Sequence, residues 1–274
     1  METPSLKKNL FLLIVLTLSG SFICSLPWFR SYYYAPFMEA FGMTNTEMGL
    51  CGTALGVAGI AAYLFGGIIC DHVSIKTLIP FAMISTGALG LVMLANPSPL
   101  LMIIIHGLFA ITALMLFFPA LTKTIRSLAS SNEQGKAFGI FEGGRGISNA
   151  VYLAIAAFIF GQLTVMKNES FGIRGIILFY SAMTIVLGVL DIFLLRGVRE
   201  EKSGDSSDSV NLKMLTKPMK MPAVWLMIGI IFATLTLSTG YYYISPYVTE
   251  VYGVSALLGA ILSSSSQYIR PIAS

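Results

Sequence analysis

Long uncharged stretches alternate with short polar segments along the whole chain. Eight such stretches of 16 to 29 residues cover Leu10–Phe29, Met48–Cys70, Thr77–Ala95, Leu100–Thr122, Gly146–Met166, Gly175–Leu190, Met221–Thr249 and Val251–Ile269. About 20 apolar residues suffice for a helix to cross the hydrocarbon core, and a helix satisfies its own backbone hydrogen bonds there. The pattern predicts eight membrane-spanning helices, called spans 1 to 8 in chain order, and an all-α integral membrane protein.

The few charged residues, 11% of the chain, indicate how the spans are oriented. Of the 17 Lys and Arg residues, twelve lie in the N-terminal segment or in loops after even-numbered spans, and two lie in the other loops. Lys and Arg are enriched in cytoplasmic loops. We therefore expect a multi-pass protein of the cytoplasmic (inner) membrane with its N-terminus in the cytoplasm. The net charge of +4 then reflects topology, and no nucleic-acid partner is expected.

An internal repeat divides the chain. The sequence YYYAPFMEAFGM begins at Tyr32, and YYYISPYVTEVYGV begins at Tyr241. Pro36 and Pro246 correspond at an offset of 210 residues, and Gly42 and Gly253 at an offset of 211. Between them the polar segment Arg196–Lys220 has the composition of a cytoplasmic linker. A repeat that spans six helices is typical of a transporter built from two parallel halves.

The repeat also predicts which part of such a transporter is present. We expect an N-terminal six-helix bundle at residues 1–195, a cytoplasmic linker at 196–222 and an incomplete C-terminal bundle with spans 7 and 8 at 223–274. The counterpart of Gly67, shifted by 211 residues, would fall beyond Ser274. The sequence thus predicts a fragment of a twelve-span protein, which we expect not to transport by itself.

The loop between spans 2 and 3 carries a family resemblance. From Gly67 to Lys76 the sequence is GIICDHVSIK, which resembles the loop 2–3 signature of the major facilitator superfamily, although His72 replaces a basic residue and Ser74 a glycine. The resemblance implies that superfamily's fold, with a complete N-terminal half plus spans 7 and 8. It also implies that Gly67, Asp71 and Lys76 form a gating latch that holds one conformation. Alternatively, Lys76 simply holds the loop near lipid headgroups.

A second segment resembles one group of proteins within the superfamily. Residues 132–146, NEQGKAFGIFEGGRG, resemble the loop 4–5 and span 5 region of poorly characterised bacterial members of the superfamily. Those proteins are loosely described as nitrate/nitrite or organic-anion transporters. The resemblance therefore implies an anionic substrate.

Arg30 is the first of three arginines inside or beside the spans. A charge near the bilayer centre costs at least about 2.5–3.5 kcal/mol, so it must face a cavity or a partner. Tyr33, Tyr34 and Phe37 follow this arginine by three, four and seven residues, so all four are expected to share a helix face. Arg30, Tyr33 and Tyr34 are candidate substrate-binding residues in an outward vestibule that recruits an anion. The alternative is an interfacial arginine that snorkels beside an aromatic belt.

Arg145 and Arg270 are the other two intramembrane arginines. Glu142 precedes Arg145 by three residues on span 5, so the two side chains either neutralise each other or bind a substrate anion and a coupled proton. Arg270 follows the polar run Ser263–Ser266, which we expect to line the aqueous pathway. Glu142, Arg145 and Arg270 complete the set of candidate substrate-binding residues.

Two other ionisable side chains within spans are expected to be structural. Asp191, near the inner end of span 6, is predicted to pair with Arg196 or another basic residue at the membrane rim. His106, on span 4, is predicted to be a hydrogen-bonded structural histidine rather than a proton carrier.

No nucleophile with a base, phosphate-binding loop or metal-ligand spacing occurs, so we expect no enzyme activity, no cofactor and no metal. We predict a secondary active transporter that moves a small, anionic solute by alternating access, coupled to protons or to exchange of a counter-anion. The expected partners are that solute, the coupling ion and membrane lipid, and the protein is expected to be monomeric. The alternatives are a drug or metabolite efflux member of the superfamily, and a non-transporting membrane sensor.

Overall fold

The computed structural model of the protein describes residues 6–198 and 220–273, and for residues 238, 241, 242 and 266–273 it describes the backbone only. The described residues form α-helices joined by short loops. In chain order the helices are α1 Leu10–Phe22, α2 Ser25–Tyr32, α3 Tyr34–Phe41, α4 Asn45–His72, α5 Ile75–Met93, α6 Pro99–Phe109, α7 Phe118–Leu128, α8 Gln134–Met166, α9 Glu169–Leu194, α10 Pro222–Thr239, α11 Ile244–Tyr252 and α12 Ala256–Ala273. A π-helical segment, Ala110–Phe117, joins α6 to α7 without a break.

Within the described residues, five helical segments are long and apolar enough to cross a membrane: α4, α5, the α6–α7 unit, α8 and α9. The pair α1 and α2 makes a sixth if its 47° bend lies within one span. These correspond to spans 1 to 6. Spans 7 and 8 are present as α10 and α12, but their apolar segments are shorter. The uncharged stretch Met221–Thr249 is not one uninterrupted α-helix, because α10 ends at Thr239, a 3₁₀ segment covers Gly240–Tyr243, and α11 begins at Ile244.

The tightest helix pair is α5 with α9. A Cβ atom on Gly87 would lie 2.8 Å from the carbonyl oxygen of Ser181, and one on Gly188 would lie 2.8 Å from the Cβ of Met83. Glycine at both positions therefore lets the two helices approach closely, as in many membrane helix pairs. Helix α8 packs against α1 and α9 on one side and against α12 on the other.

The N-terminal segment is held against the loop that precedes α8. The Ser130 hydroxyl donates to the Glu133 carboxylate at 2.9 Å, and the backbone N–H of Leu6 donates to it at 3.3 Å. These hydrogen bonds lower the pKa of the Glu133 carboxyl below its ordinary value, since they favour the charged form. The Asn9 amide donates to the carbonyl of Leu128 at 2.9 Å. The N-terminus and the loop after span 4 therefore lie at the same end of the bundle.

Further contacts assign the other loops to one end or the other. The Lys76 ammonium, after span 2, donates to the carbonyl of Arg196, after span 6, at 3.0 Å. At the opposite end the Arg174 guanidinium donates to the Asn96 side-chain oxygen at 2.6 Å. The alternation of loops predicted from the charge pattern is thus present, and which end faces the cytoplasm stays a prediction.

The repeated segments also share local structure. Helix α3 ends at Gly42 with φ of 60°, and α11 ends at Gly253 with φ of 65°. Glycine adopts this left-handed conformation at a helix end without steric cost. The two glycines occupy the equivalent positions that the repeat assigns to them.

Candidate functional site

A partly open cavity of about 140 Å³ lies between α2, α8 and α9. Its lining combines one arginine and one asparagine with five aromatic side chains. The lining residues are Cys24, Ser25, Trp28, Phe29, Tyr32, Arg145, Asn149, Tyr152, Leu153 and Tyr180. An aromatic lining with a few polar groups is characteristic of small-molecule sites, although the volume is below the roughly 300–1,000 Å³ usual for them.

Pro27 explains how the first span contributes to this cavity. Proline has no N–H for the carbonyl four residues earlier, and its ring clashes with that carbonyl, so it bends or breaks a helix. The position four residues before Pro27 is Ile23, where α1 has just ended, and α2 continues after a 47° bend. The Ser25 hydroxyl donates to the carbonyl of Phe22 at 2.6 Å and satisfies one backbone acceptor at the bend. The redirected α2 carries Trp28 and Tyr32 to the cavity.

Arg145 is the basic residue of the cavity, and its contacts fix its position. Its Nη1 donates to Glu142 Oε1 at 3.0 Å, as the spacing on α8 predicts. The centre of the guanidinium lies 5.4 Å from the ring centroid of Phe118 and 5.3 Å from that of Phe141. The Arg145 side chain is 11% exposed and that of Glu142 is 41% exposed. The arginine is therefore held inside the bundle, while its acidic partner is partly exposed.

Among the buried polar atoms without hydrogen-bond partners in the described residues are Nε of Arg145 and Oδ1 of Asn149. Asn149 follows Arg145 by one helical turn on α8, and both residues line the cavity. Leaving a buried polar group unsatisfied costs about 1–3 kcal/mol. The two unsatisfied atoms thus belong to side chains that line the same partly open cavity. The sequence reasoning missed Asn149, although an amide four residues after a buried arginine is a usable signal.

Arg30, Tyr33 and Tyr34 do not line this cavity. Arg30 Nη1 donates to the carbonyl of Met48 at 3.1 Å, so the guanidinium links α2 to the start of α4. A Cβ atom on Gly52 would lie 3.0 Å from Arg30 Nη2, so the glycine leaves room for the arginine.

The predicted common face of these residues is wrong because the helix is interrupted at Tyr33, whose φ and ψ are −111° and 49°. Tyr33 is 2% exposed, and its ring centroid lies 4.9 Å from that of Phe160. The Tyr34 hydroxyl instead donates to the Asn45 side-chain oxygen at 2.9 Å.

The side chain of Arg270 lies outside the described residues. Of the polar run that precedes it, Ser263 and Ser264 are buried and donate to backbone carbonyls three residues earlier on α12. The prediction that this run lines a pathway therefore stays a prediction.

The residues of the predicted latch make contacts within the first six helices. Asp71 accepts from the Lys123 ammonium of α7 at 3.2 Å, and Lys123 also donates to the carbonyl of Cys70 at 3.1 Å. A Cβ atom on Gly66 would lie 2.7 Å from the carbonyl oxygen of Met115, whereas one on Gly67 meets no atom within 4 Å. The close approach of helices at this signature therefore depends on Gly66.

Asp191 does not pair with Arg196, so that prediction is wrong. The carboxyl is fully buried and accepts from the Ser19 hydroxyl, whereas the Arg196 guanidinium lies over the Phe193 ring at 5.0 Å. Asp191 lies five residues before Arg196 along the chain, and its carboxyl contacts α1 rather than a basic residue at the membrane rim.

His106 is also fully buried, and its Nδ1 lies 2.8 Å from the carbonyl of Met102. This contact agrees with the predicted structural role.

Helices long and apolar enough to cross a membrane define a multi-pass membrane protein, and a basic, aromatic cavity lies among them. The family model of the Major Facilitator Superfamily matches residues 10–272, so the chain belongs to that superfamily. The sequence-based assignment to this superfamily is therefore confirmed. The superfamily is one of membrane transporters.

Comparison with known proteins gives relatives that are named as inner membrane proteins. The chain is 29% identical over 252 residues to Inner membrane protein YqcE of Escherichia coli K12, covering 91% of this chain and 59% of that protein. It is also 29% identical over 259 residues to Inner membrane protein YihN of the same organism, covering 93% and 61%. The chain thus spans about three fifths of the length of these curated relatives.

A solved structure has the same fold. It is the crystal structure of a bacterial homologue of the human lysosomal transporter Spinster, in an inward-facing and occupied conformation. The TM-score is 0.69 at 15% identity, and the match covers 98% of this chain and 60% of that one.

Proposed function

We propose that this chain belongs to a secondary active transporter that moves a small anionic solute across the membrane by alternating access. The observation that carries the proposal is the position of Arg145, which lines the cavity with one buried donor left unsatisfied. An arginine is permanently charged and presents planar donors that suit carboxylate, phosphate, sulfonate or nitrate.

The charge of the cavity supports an anion over a cation. Its lining residues include Arg145 and no acidic side chain among the described residues. Glu142 accepts from Nη1 of the arginine, and Nε of the arginine has no hydrogen-bond partner among the described residues. A cavity with a fixed positive group favours anions and disfavours amines and metal cations.

Transport is coupled to protons or to exchange with a counter-anion in this proposal. Glu142 either orients Arg145 for the substrate or carries the coupled proton. Its 3.0 Å contact with Arg145 and its 41% exposure support both roles, because protonation from water would release the arginine from its partner. The Asp71–Lys123 pair, with Lys76 nearby in sequence, is proposed to help hold one conformation at the end of the bundle that faces the cytoplasm.

The cellular setting is part of the proposal. The relatives from Escherichia coli are named as inner membrane proteins, which supports the inner membrane as the location. We propose a monomer in contact with lipid, with its N-terminus in the cytoplasm.

Transport is proposed for a protein of the relatives' full length, because alternating access requires two halves that move about a central site. Proteoliposomes that contain only these 274 residues are expected not to accumulate solute.

The aromatic lining favours one second candidate, efflux of a flat drug or metabolite. A substrate panel separates the two functions. Cells that express the corresponding full-length transporter are given radiolabelled gluconate and nitrate as anions and ethidium as an aromatic cation. The proposal predicts energy-dependent accumulation of at least one anion and none of ethidium. Energy-dependent export of ethidium without movement of either anion would contradict it.

A further inference from the structure

Two basic residues, Lys76 and Arg196, meet at one end of the bundle beside an exposed apolar face of α9. We propose that they bind the headgroup of an anionic phospholipid, with an acyl chain of that lipid lying along α9. Neither residue lines the cavity at Arg145. The lipid site is therefore separate from the cavity and does not depend on which solute the cavity binds.

The two basic residues are held at adjoining helix ends. Lys76 lies in the first turn of α5, and Arg196 follows the end of α9, in the helix pair that glycines allow to approach closely. The Lys76 ammonium donates to the backbone carbonyl of Arg196 at 3.0 Å. Because this bond goes to a neutral carbonyl, it neutralises neither positive charge.

Arg196 has no carboxylate partner among the described residues. The carboxyl of Asp191, on the last turns of α9, is fully buried and accepts from the Ser19 hydroxyl of α1. The carboxylate of Asp71 pairs with Lys123. An arginine beside a lysine favours a phosphate group, since the guanidinium forms charge-assisted hydrogen bonds with phosphate oxygens.

An exposed apolar stripe on α9 leads to Arg196. Its members are 37% to 58% exposed and are spaced as i, i+3, i+4 and i+7, so they share one helix face. They are Val186, Val189, Leu190 and Phe193. The Arg196 guanidinium lies over the Phe193 ring, 5.0 Å from its centroid, so a positive charge lies at the end of the stripe.

The helices of the second half pack elsewhere. Besides each other, α11 and α12 pack mainly against α2, α3 and α8. In a membrane, an apolar helix face that no other helix covers contacts acyl chains. A phospholipid therefore fits both parts of the site, with its acyl chain on the stripe and its phosphate at the basic residues. A free phosphate ion would use only the second part.

The positive charge of the site selects the class of headgroup. Phosphatidylcholine and phosphatidylethanolamine carry a cation beside the phosphate, which the two basic residues would repel. Phosphatidylglycerol and cardiolipin carry phosphate without a cation, and basic pockets between membrane helices bind headgroups of this kind. One Lys or Arg near the surface favours an anionic lipid by about fivefold, so two residues predict a preference of roughly tenfold or more.

Native mass spectrometry of the 274-residue chain in detergent micelles tests the inference. Dioleoylphosphatidylglycerol and dioleoylphosphatidylcholine have the same acyl chains and differ in headgroup charge, and each is titrated against the chain. We expect the first phosphatidylglycerol to bind with a Kd roughly tenfold or more below that of phosphatidylcholine. Millimolar inorganic phosphate should not displace it, because phosphate lacks the acyl chain.

Three variants locate the preference. Arg196→Gln should reduce it to less than about threefold, and Lys76→Gln should weaken it in the same direction. Lys167→Gln is the matched control, because the Lys167 ammonium also lies over a ring of α9, 5.1 Å from the centroid of Phe171, but at the other end of that helix. This variant should keep the full preference. Circular dichroism and gel filtration establish that each variant is folded.

Four results would overturn the inference. They are equal binding of the two lipids, a preference that Arg196→Gln leaves unchanged, and an equal loss of preference in Lys167→Gln, which would show that only overall charge matters. The fourth is displacement of the lipid by millimolar phosphate, which would identify free phosphate as the ligand. None of these results bears on the proposed anion transport, which is tested at Arg145.

Discussion

The Ser19 hydroxyl donates a hydrogen bond of 2.8 Å to Oδ2 of Asp191, and both residues are fully buried. Oδ1 of Asp191 has no hydrogen-bond partner among the described residues, and no cation of that part of the chain pairs with the carboxyl. On its other side α1 contacts α8, where the Ser21 hydroxyl lies 3.5 Å from the carbonyl of Arg145. Helix α1 therefore lies between Asp191 and the cavity arginine.

Replacement of Asp191 tests what this contact contributes. Asp191→Asn keeps the shape and an acceptor oxygen for Ser19 and removes a carboxyl that is costly to charge in this setting. We expect its melting temperature in detergent to equal or exceed that of the parent chain. Asp191→Leu removes the acceptor and should destabilise the chain by about 1–3 kcal/mol. An equal loss of stability in both variants would show that the charge itself stabilises the helix pair.

The loop 2–3 signature allows a matched pair of glycine substitutions. Gly66→Ala places a Cβ atom 2.7 Å from the carbonyl oxygen of Met115 and 2.9 Å from Cγ of Pro119, so α4 and the π-helical segment must separate. Overpacking of this kind costs about 1–3 kcal/mol. Gly67→Ala meets no atom within 4 Å and should be neutral. Thermal unfolding of the two variants measures the difference, and equal melting temperatures would contradict the packing described for Gly66.

Much of the fold follows from the sequence because the membrane imposes a simple rule on length and hydropathy. The spans of the first half, the alternation of loops and the Glu142–Arg145 pair were all predictable, since each depends on local spacing. The breaks in the first span also had a signal in the sequence that was overlooked. Pro27 and Pro36 lie four residues after Ile23 and Tyr32, where α1 and α2 end.

The partners of the remaining ionisable residues depended on tertiary structure. Asp191 with Ser19 and Asp71 with Lys123 join residues 172 and 52 positions apart, and no local pattern pairs them. Asn149 became a candidate binding residue only when the structure placed it in the cavity that Arg145 also lines.

The orientation of the bundle is tested by labelling a single cysteine. A chain with its three natural cysteines replaced carries Ser206→Cys in the linker, a position outside the described residues. The positive charges around the linker predict that it is cytoplasmic. A membrane-impermeant thiol reagent should label it only after the cells are opened. Labelling in intact cells would reverse the assigned orientation.

Glu142 is tested by separating pH-driven transport from exchange. In the corresponding full-length transporter, Glu142→Gln removes the titratable group and keeps a side chain that can still accept from Arg145. We expect accumulation driven by a pH gradient to fall more strongly than exchange of substrate across the membrane at equal pH. Loss of both activities to the same extent would indicate that Glu142 only positions Arg145.

The role of Arg145 in anion binding is tested most directly by measuring anion uptake in the full-length transporter. The Arg145→Lys variant is compared with Arg174→Lys. Lysine keeps the positive charge but lacks the planar donors of arginine, so anion uptake by Arg145→Lys should fall by about tenfold or more. Arg174 lies in a loop contact with Asn96 and is not part of the cavity, so Arg174→Lys should transport like the parent protein. Both variants must reach the membrane in equal amounts. Unchanged anion uptake by Arg145→Lys, or transport of a cation by the parent protein, would contradict the assignment of Arg145 as the anion-binding residue.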